Sequence, residues 1–296
     1  MSRKLKQINP YHRGVLIAES VDYLIRDRQG IYVDATFGGG GHSGCILERM
    51  DLKGRLVAMD MDPAAEINQI SDVRFLFVRS NFRYLDRYLR YFGMQQIDGI
   101  LADLGVSSHQ VDHDARGFSY KSEKAVLDMR MNPGALLTAR DIVNTSGEKE
   151  LVDMFSEYGE VRNSKSLSKK ILEAREKRAL RTTGDLVSAI QPLIRGNRSR
   201  YLAQVFQAIR IKVNDEMGSL RALLNTGKQF LKPGGRMVLI SYHSVEDRII
   251  KNFMRSQKQG QSSFEVLTKK PVYPSSDEIR QNPRARSAKL RAAQKL

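Results

Sequence analysis

Apolar and polar positions alternate over the first hundred residues in a pattern that predicts a repeating strand–helix unit. Val15, Leu16, Val21 and Leu24 recur at helical spacing. A short apolar run, 31–36, then predicts a first strand, and 55–60, 74–78 and 97–104 predict three more, with helical segments between them. Strands and helices in alternation imply a parallel, doubly wound α/β sheet. From Ser107 to Asn144 the alternation stops, and Asp, Arg, Met and turn residues dominate without a sheet period. Helical patterns follow. Thr145-x-x-Glu148 fits a capping box ahead of Leu151, Val152 and Phe155, Thr182-x-x-Asp185 fits a second, and Leu202–Val213 carries Val205, Phe206 and Ile209 on one face. A further amphipathic helix, Met217–Leu231, is closed by Lys232-Pro-Gly-Gly235 before a fifth strand over 236–241. Segments 264–269 and 285–290 are expected to pair as the last two strands, antiparallel. The chain is thus an α/β domain interrupted by a helical insertion over residues 110–210, with 1–109 and 211–296 as its two parts.

The first strand runs into Asp34-Ala-Thr-Phe-Gly-Gly-Gly-Gly-His-Ser-Gly44, with a helix beginning near Cys45. A strand, a glycine loop and a helix in succession form the nucleotide-binding turn of such folds, where glycines let backbone approach a ligand without Cβ collisions. Gly39-x-Gly41-x-x-Gly44 fits the dinucleotide fingerprint, a weak pattern alone. Asp60 ends the second strand 22 residues after Gly38, near the spacing at which a carboxylate grips a ribose hydroxyl. Ligands in these sheets bind beyond the carboxyl ends of the strands, so the 38–42 loop, Asp60, Phe82 and Asp103 are expected around one crevice. Phe82 has two readings, a platform for an adenine ring or a cap on the core. His243 follows the fifth strand where the crevice opens and is a site candidate. Ser244-x-x-Asp247 is expected to cap the helix behind it.

Charge changes the picture. The net charge of +16 points to a polyanionic partner, nucleic acid first, against the plainer alternative of a basic but unspecific surface. From Arg280 to Lys295 there are six basic residues and no acid, either a solvated tail or a phosphate-contacting one. The single cysteine, Cys45, excludes an intrachain disulfide, suggests a reducing compartment and is expected to be a buried thiol. No His/Cys spacing suggests zinc, and no metal is expected. The basic N-terminus lacks the apolar core of a signal peptide, and no apolar run approaches the ~20 residues of a membrane span, so a cytoplasmic location is expected.

A dehydrogenase would need an acid–base dyad that is not visible and has no reason to be so basic. S-adenosylmethionine fits better, with a ribose for Asp60, a short zwitterionic tail for the glycine loop and Asp103 at the fourth strand end, where a methyl group is delivered. The residues then carry a resemblance. Tyr11-His12, Asp34–Ser43, Asp60-Met-Asp-Pro63, Asp103-Leu-Gly-Val-Ser-Ser108, Arg116-Gly-Phe-Ser-Tyr120, Leu127-Asp-Met-Arg-Met131, Tyr158-Gly-Glu160, Phe206–Ile211, His243–Arg248 and Asn282–Ser287 occur in order along nearly the whole chain. Together they resemble the RsmH (MraW) family of small-subunit ribosomal RNA methyltransferases. That resemblance implies a class I S-adenosylmethionine-dependent, Rossmann-like fold with an inserted helical substrate-recognition domain. It also implies methyl transfer to N4 of one cytidine in the decoding centre of bacterial 16S ribosomal RNA. Carried over position by position, the cofactor contacts are Gly40, Gly41, His42, Asp60, Phe82, Asp103 and Gln110, with Asp103 also catalytic. The implied partners are ribosomal RNA within the assembled small subunit and, as an allowed homodimer, a second copy of the chain; no membrane is implied.

Phe118 and Tyr120 are candidate platforms for an unstacked base or, equally, loop packing; Arg116, Arg130 and the insertion's lysines are candidate phosphate contacts. Three places depart from the family pattern: Arg200-Tyr-Leu-Ala-Gln204, Tyr242 in place of a commoner Phe, and Val245 in place of a commoner Leu. None is itself a proposed cofactor contact. Two rivals remain at this point. One is a methyltransferase for DNA amino groups or a small molecule, disfavoured because Asp103-Leu-Gly-Val stands where an Asp-Pro-Pro-Tyr motif would be. The other is a non-catalytic assembly factor, disfavoured by the intact glycine loop and both aspartates.

Overall fold

The computed structural model describes residues 14–106, 116–258 and 261–296. The chain divides into two units, residues 1–105 with 218–296, and residues 106–217.

In the first unit the expected alternation forms α1 (Ile17–Leu24), β1 (Ile31–Asp34), α2 (Gly41–Arg49), β2 (Arg55–Asp60), β3 (Phe75–Arg79), α3 (Leu85–Tyr91) and β4 (Ile97–Asp103). Apolar residues on both pleats of the strands explain the architecture, because a parallel sheet is covered on both faces. Val33, Val57 and Ile100 lie side by side and face one core with Leu85, Leu89, Leu220 and Leu224. Their sequence neighbours Tyr32, Leu56 and Leu101 face the other, with Val21, Leu24, Ile46 and Leu47 from α1 and α2. Each such side chain contributes roughly 1.5–3 kcal/mol by leaving water.

The second unit is helical: α4 (Ala139–Thr145), α5 (Glu148–Glu157), α6 (Ser164–Lys177), α7 (Thr183–Ile190) and α8 (Arg198–Asn214) around Phe155, Leu167, Ile171, Leu186, Val205, Phe206 and Ile209. The Thr182–Asp185 capping box forms as expected. The Thr145 box does not. Thr145 is the last residue of α4, and α5 is capped instead by Gly147, whose N–H donates to the Glu150 side chain at 3.1 Å.

Helix α9 (Glu216–Phe230) leads into β5 (Leu231–Ser241), followed by α10 (Ser244–Arg255), β6 (Phe264–Val266), α11 (Ser276–Gln281) and β7 (Lys289–Lys295). The sheet order is β3-β2-β1-β4-β5-β7-β6. Strands β1 to β5 are parallel, and β7 runs antiparallel to β5 and to β6. Two boundaries differ from expectation. Lys232-Pro-Gly-Gly235 is not a loop before β5 but a bulge inside it: Leu231 pairs with Ile97 and Arg236 with Gly99. The last strand begins at Lys289 rather than 285, because Pro283–Ser287 forms a 3₁₀ turn capped by Asn282, whose side chain accepts from the Arg284 N–H. The basic C-terminal segment is therefore not a solvated tail. Within it Arg291 pairs with Asp247, and the Lys295 ammonium donates to the Leu231 carbonyl. Among the described residues no helix is long and apolar enough to cross a membrane.

Candidate active site at the carboxyl ends of the strands

Three carboxyl groups organise the strand ends of the first unit. Asp34 closes β1 and is fully buried; its Oδ1 accepts the Thr36 N–H at 3.1 Å and its Oδ2 the Ser43 hydroxyl at 2.7 Å. It thereby ties the strand to the first turn of α2. Asp60 closes β2; its Oδ2 accepts the Gly38 N–H and its Oδ1 the Asp62 N–H, both at 2.8 Å. The glycine loop and the second-strand acid, expected around one crevice, are joined by a direct hydrogen bond. A carboxylate oxygen has two lone pairs, so each Asp60 oxygen keeps one for a ribose hydroxyl. Asp103 closes β4. Its backbone N–H donates to the Thr36 hydroxyl at 2.7 Å, which holds the ends of β1 and β4 together.

The loop between β1 and α2 requires its glycines at two points. Gly38 has φ +50°, and its carbonyl accepts from the Asn68 side chain at 3.0 Å. Gly40 caps α2 with φ +78°, and a Cβ there would lie 3.1 Å from the Phe37 ring. The helix begins at Gly41, earlier than the apolar pattern at Cys45 suggested, so Gly41 and His42 form its first turn. Unpaired N–H groups of such a turn favour an anionic group. His42 is buried, and its Nε2 lies 3.0 Å from the Val15 carbonyl. That oxygen can only accept, so Nε2 carries a proton. The ring leaves no room for a side chain at position 14, where a Cβ would lie 2.9 Å away. Cys45 is half-buried rather than buried, and its thiol is pushed up by that burial, so it stays protonated.

Desolvation dominates the electrostatics. Burial pushes the carboxyls of Asp34, Asp60 and Asp103 each up to about 6, in every case against hydrogen bonds that favour the ionised form. Asp34 adds to the rise at both others by like-charge repulsion. Burial thus leaves all three carboxyls reluctant to ionise.

Phe82 opens a 3₁₀ turn after β3 and packs, partly buried, against the core on that face of the sheet. The turn is anchored by Asn81, whose side chain accepts from the Arg83 N–H at 2.9 Å and donates to the Ser219 hydroxyl at 3.2 Å. Gln110 lies outside the described residues, as does His12. His243 turns out to have the structural role the sequence did not show. Its Nδ1 accepts the Glu246 N–H at 3.3 Å and caps α10, displacing the expected Ser244 cap. Asp247, the other half of the expected box, makes a two-point pair with Arg291 at 2.6 and 3.1 Å.

The sequence marked Tyr242 only as a departure from the family pattern, with no role at the site. Its hydroxyl donates to Asp103 Oδ1 at 2.7 Å, and its N–H donates to the buried Glu246 carboxylate at 2.9 Å. Thr36, Ser43 and Asn68 were also missed. Small polar residues beside a glycine loop have no periodicity, and only the folded loop shows what they bond.

In the helical unit, the two arginines expected on phosphates are used internally. Arg116 donates to the carbonyls of Arg130 and Met131 at 2.6 and 2.8 Å, with its guanidinium 5.4 Å from the Phe118 ring centre. Arg130 pairs with Asp128 through two bonds at 2.7 and 2.9 Å and donates to the Ala135 carbonyl at 2.6 Å. Phe118 and Tyr120 pack on the helical core, Tyr120 edge-on to Phe206 at 5.9 Å. Of the two readings for these aromatics, loop packing is the one displayed.

A doubly wound sheet with a reversed seventh strand, a glycine loop after β1 and acids ending β2 and β4 defines a class I methyltransferase of Rossmann-like α/β type. Residues 9–296 match the profile of the MraW methylase family, and the chain belongs to that family. A ribosomal RNA small subunit methyltransferase H from Phocaeicola vulgatus is 49% identical over 302 residues, covering 98% of each chain. One of the same name from Bacteroides thetaiotaomicron is 49% identical over 297 residues, covering 96% of this chain and 97% of its own. Among solved structures, an rRNA methylase from Streptococcus thermophilus overlaps 95% of this chain and 93% of its own, at TM-score 0.41 and 12% identity. A likeness at that level adds nothing to the assignment.

Proposed function

We propose that this chain transfers a methyl group from S-adenosylmethionine to N4 of one cytidine in the decoding centre of 16S ribosomal RNA, acting in the bacterial cytoplasm on the assembled small subunit. The observation that carries the reading is the Gly38–Asp60 hydrogen bond with Asp103 at the neighbouring strand ends, in a chain of a methylase family whose named relatives act on small-subunit ribosomal RNA. The residues fit the cofactor. The loop is cleared of side chains at Gly38 and Gly40, Asp60 keeps lone pairs for a ribose, and the three reluctant carboxyls suit a sulfonium and an ammonium. Gly40, Gly41 and His42 would hold the amino-acid end, Asp60 the ribose, and Phe82 and Gln110 the base side.

Bound there, S-adenosylmethionine supplies a methyl group activated by the sulfonium charge. The work of the chain is on the other partner. The N4 lone pair of cytosine is delocalised into the ring and is a poor nucleophile. Asp103 accepts an N–H of that amine, turns its lone pair toward the methyl group and stabilises the positive charge that grows on nitrogen. The methylated nitrogen then carries one proton too many, and a carboxylate that titrates near 6 is placed to take it.

The target base must leave its stack to reach such a crevice. The helical unit is the part we assign to RNA. With Arg116 and Arg130 committed internally, phosphate contact is left to the insertion's exposed lysines, among them Lys165, Lys169 and Lys177, and to Arg195, Arg198 and Arg200. The three arginines are exposed and make no ion pair or side-chain hydrogen bond among the described residues.

The test is methyl transfer from labelled S-adenosylmethionine to small subunits lacking the modification, with the product nucleoside identified by mass. N4-methylcytidine at a single site supports the reading. Binding to subunits without transfer would replace it with a non-catalytic assembly role, and transfer to another atom would change the substrate.

A further inference from the structure

We propose that Tyr242 is a positioning residue for Asp103: its phenol holds one carboxylate oxygen at the end of β5 and leaves the other for the target amine. The inference rests on the role given to Asp103 above. Asp103 pairs in register with Ile240 on the adjacent strand, so Tyr242 stands two residues beyond it, just past the last residue of β5. Its hydroxyl lies 2.7 Å from Asp103 Oδ1, and Oδ2 accepts no bond among the described residues. Two features aim the ring. The Tyr242 N–H is held by Glu246 at 2.9 Å, and Gly105, with φ +108°, leaves open the space where a Cβ would lie 3.3 Å from the ring.

The charged surroundings make the phenol a permanent donor. Burial and the negative charge of Asp103, with Glu246 on α10 and Glu278 on α11, push its pKa well above the usual tyrosine value. The groups facing Asp103 are His42 from α2, which favours the ionised carboxyl, and Asp34 from β1 and Glu246 from α10, which oppose it. The Tyr242 hydrogen bond is the other favourable influence. Removing the hydroxyl leaves a buried carboxyl with less to hold its charge, so its pKa rises. The consequence is a methylation rate that, as pH falls, is lost from a higher pH than in the wild type.

The experiment is the pH profile of single-turnover methylation of small subunits, from pH 5 to 8.5, for the wild type, Tyr242→Phe and Asp103→Asn. Phenylalanine keeps the ring against Gly105, and thermal unfolding checks that it does. A hydrogen bond to a charged group biases an ionisation about tenfold, so the acid limb of Tyr242→Phe is expected about one pH unit higher. Its deficit should approach about tenfold near pH 5.5 and narrow to about twofold near pH 7. Affinity for S-adenosylhomocysteine should change by less than about twofold, as expected of a group acting through Asp103. An acid limb that coincides with the wild type overturns the proposal, as does a deficit found in cofactor affinity instead of rate. If Asp103→Asn retains the wild-type rate, the role of Asp103 itself has failed; if Asp103→Asn is inactive and Tyr242→Phe is unshifted, only the Tyr242 inference falls.

Discussion

Asp60 and Asp103 in the first unit, and Arg116 and Arg130 in the second, are charged residues drawn from equally tight sequence motifs, yet the fold treats them oppositely. Each Asp60 oxygen takes one backbone N–H and keeps a lone pair, and Asp103 spends one oxygen on Tyr242 and keeps the other. Arg116 and Arg130 direct their guanidinium donors to backbone carbonyls and Asp128. The first pair is held in place with capacity to spare, and the second is turned inward to build the segment that contains it. A charged motif residue is therefore a candidate for ligand contact only after its bonding capacity has been counted.

The largest expected effect is on Asp103. Asp103→Asn removes the anionic acceptor while keeping the shape, and single-turnover methylation should fall by about a hundredfold or more with cofactor affinity within a few-fold. Retention of the wild-type rate would place Asp103 with the structural residues. Next come the exposed arginines. Replacing Arg195, Arg198 and Arg200 together by Ala should weaken subunit binding at least about tenfold and lower the salt slope of log Kd by about two to three. The unfolding temperature should not move. An unchanged salt slope would remove these residues from the interface.

Arg130→Ala should do the reverse. It breaks a two-point pair with Asp128, whose carboxyl is held below its ordinary value chiefly by Arg130 against its own burial. The helical unit should lose on the order of 1–3 kcal/mol in denaturant titration, while the salt slope of binding changes little. A lowered slope with full stability would restore Arg130 as a phosphate contact.

The smallest effect is a pH linkage. Carboxyls that titrate near 3.8 when unfolded and near 6 when folded favour the folded state in their protonated form. Their contribution is full below about pH 4, declines as pH rises and is gone above about pH 6. A bound cation favours the ionised forms. S-adenosylmethionine should therefore raise the unfolding temperature more at pH 8 than at pH 5, by a degree or a few, and uncharged S-adenosylhomocysteine should show a weaker dependence on pH. Equal dependence for both ligands would count against the carboxyls as a cation-matched set.

Local chemistry was enough to read the strand–helix alternation, the glycine loop, the two strand-end acids and the family resemblance. Strands buried on both faces, glycines in left-handed turns and acids at fixed distances from them leave marks within a few dozen residues, so the sequence by itself determined these. It could not determine which polar groups meet across the chain. Tyr242 reaches Asp103 from 139 positions away, Thr36 bonds Asp103 from 67, and Arg291 takes Asp247 from 44. The same limit let Ser244 pass for the cap that His243 provides, since one backbone rotation at the end of β5 decides which side chain faces the first N–H groups of α10. Hydrogen bonds are short and directional, so a shift of one residue changes the partner. Only the tertiary structure sets partners at that precision, and it decided which charged residues of this chain remain free to bind.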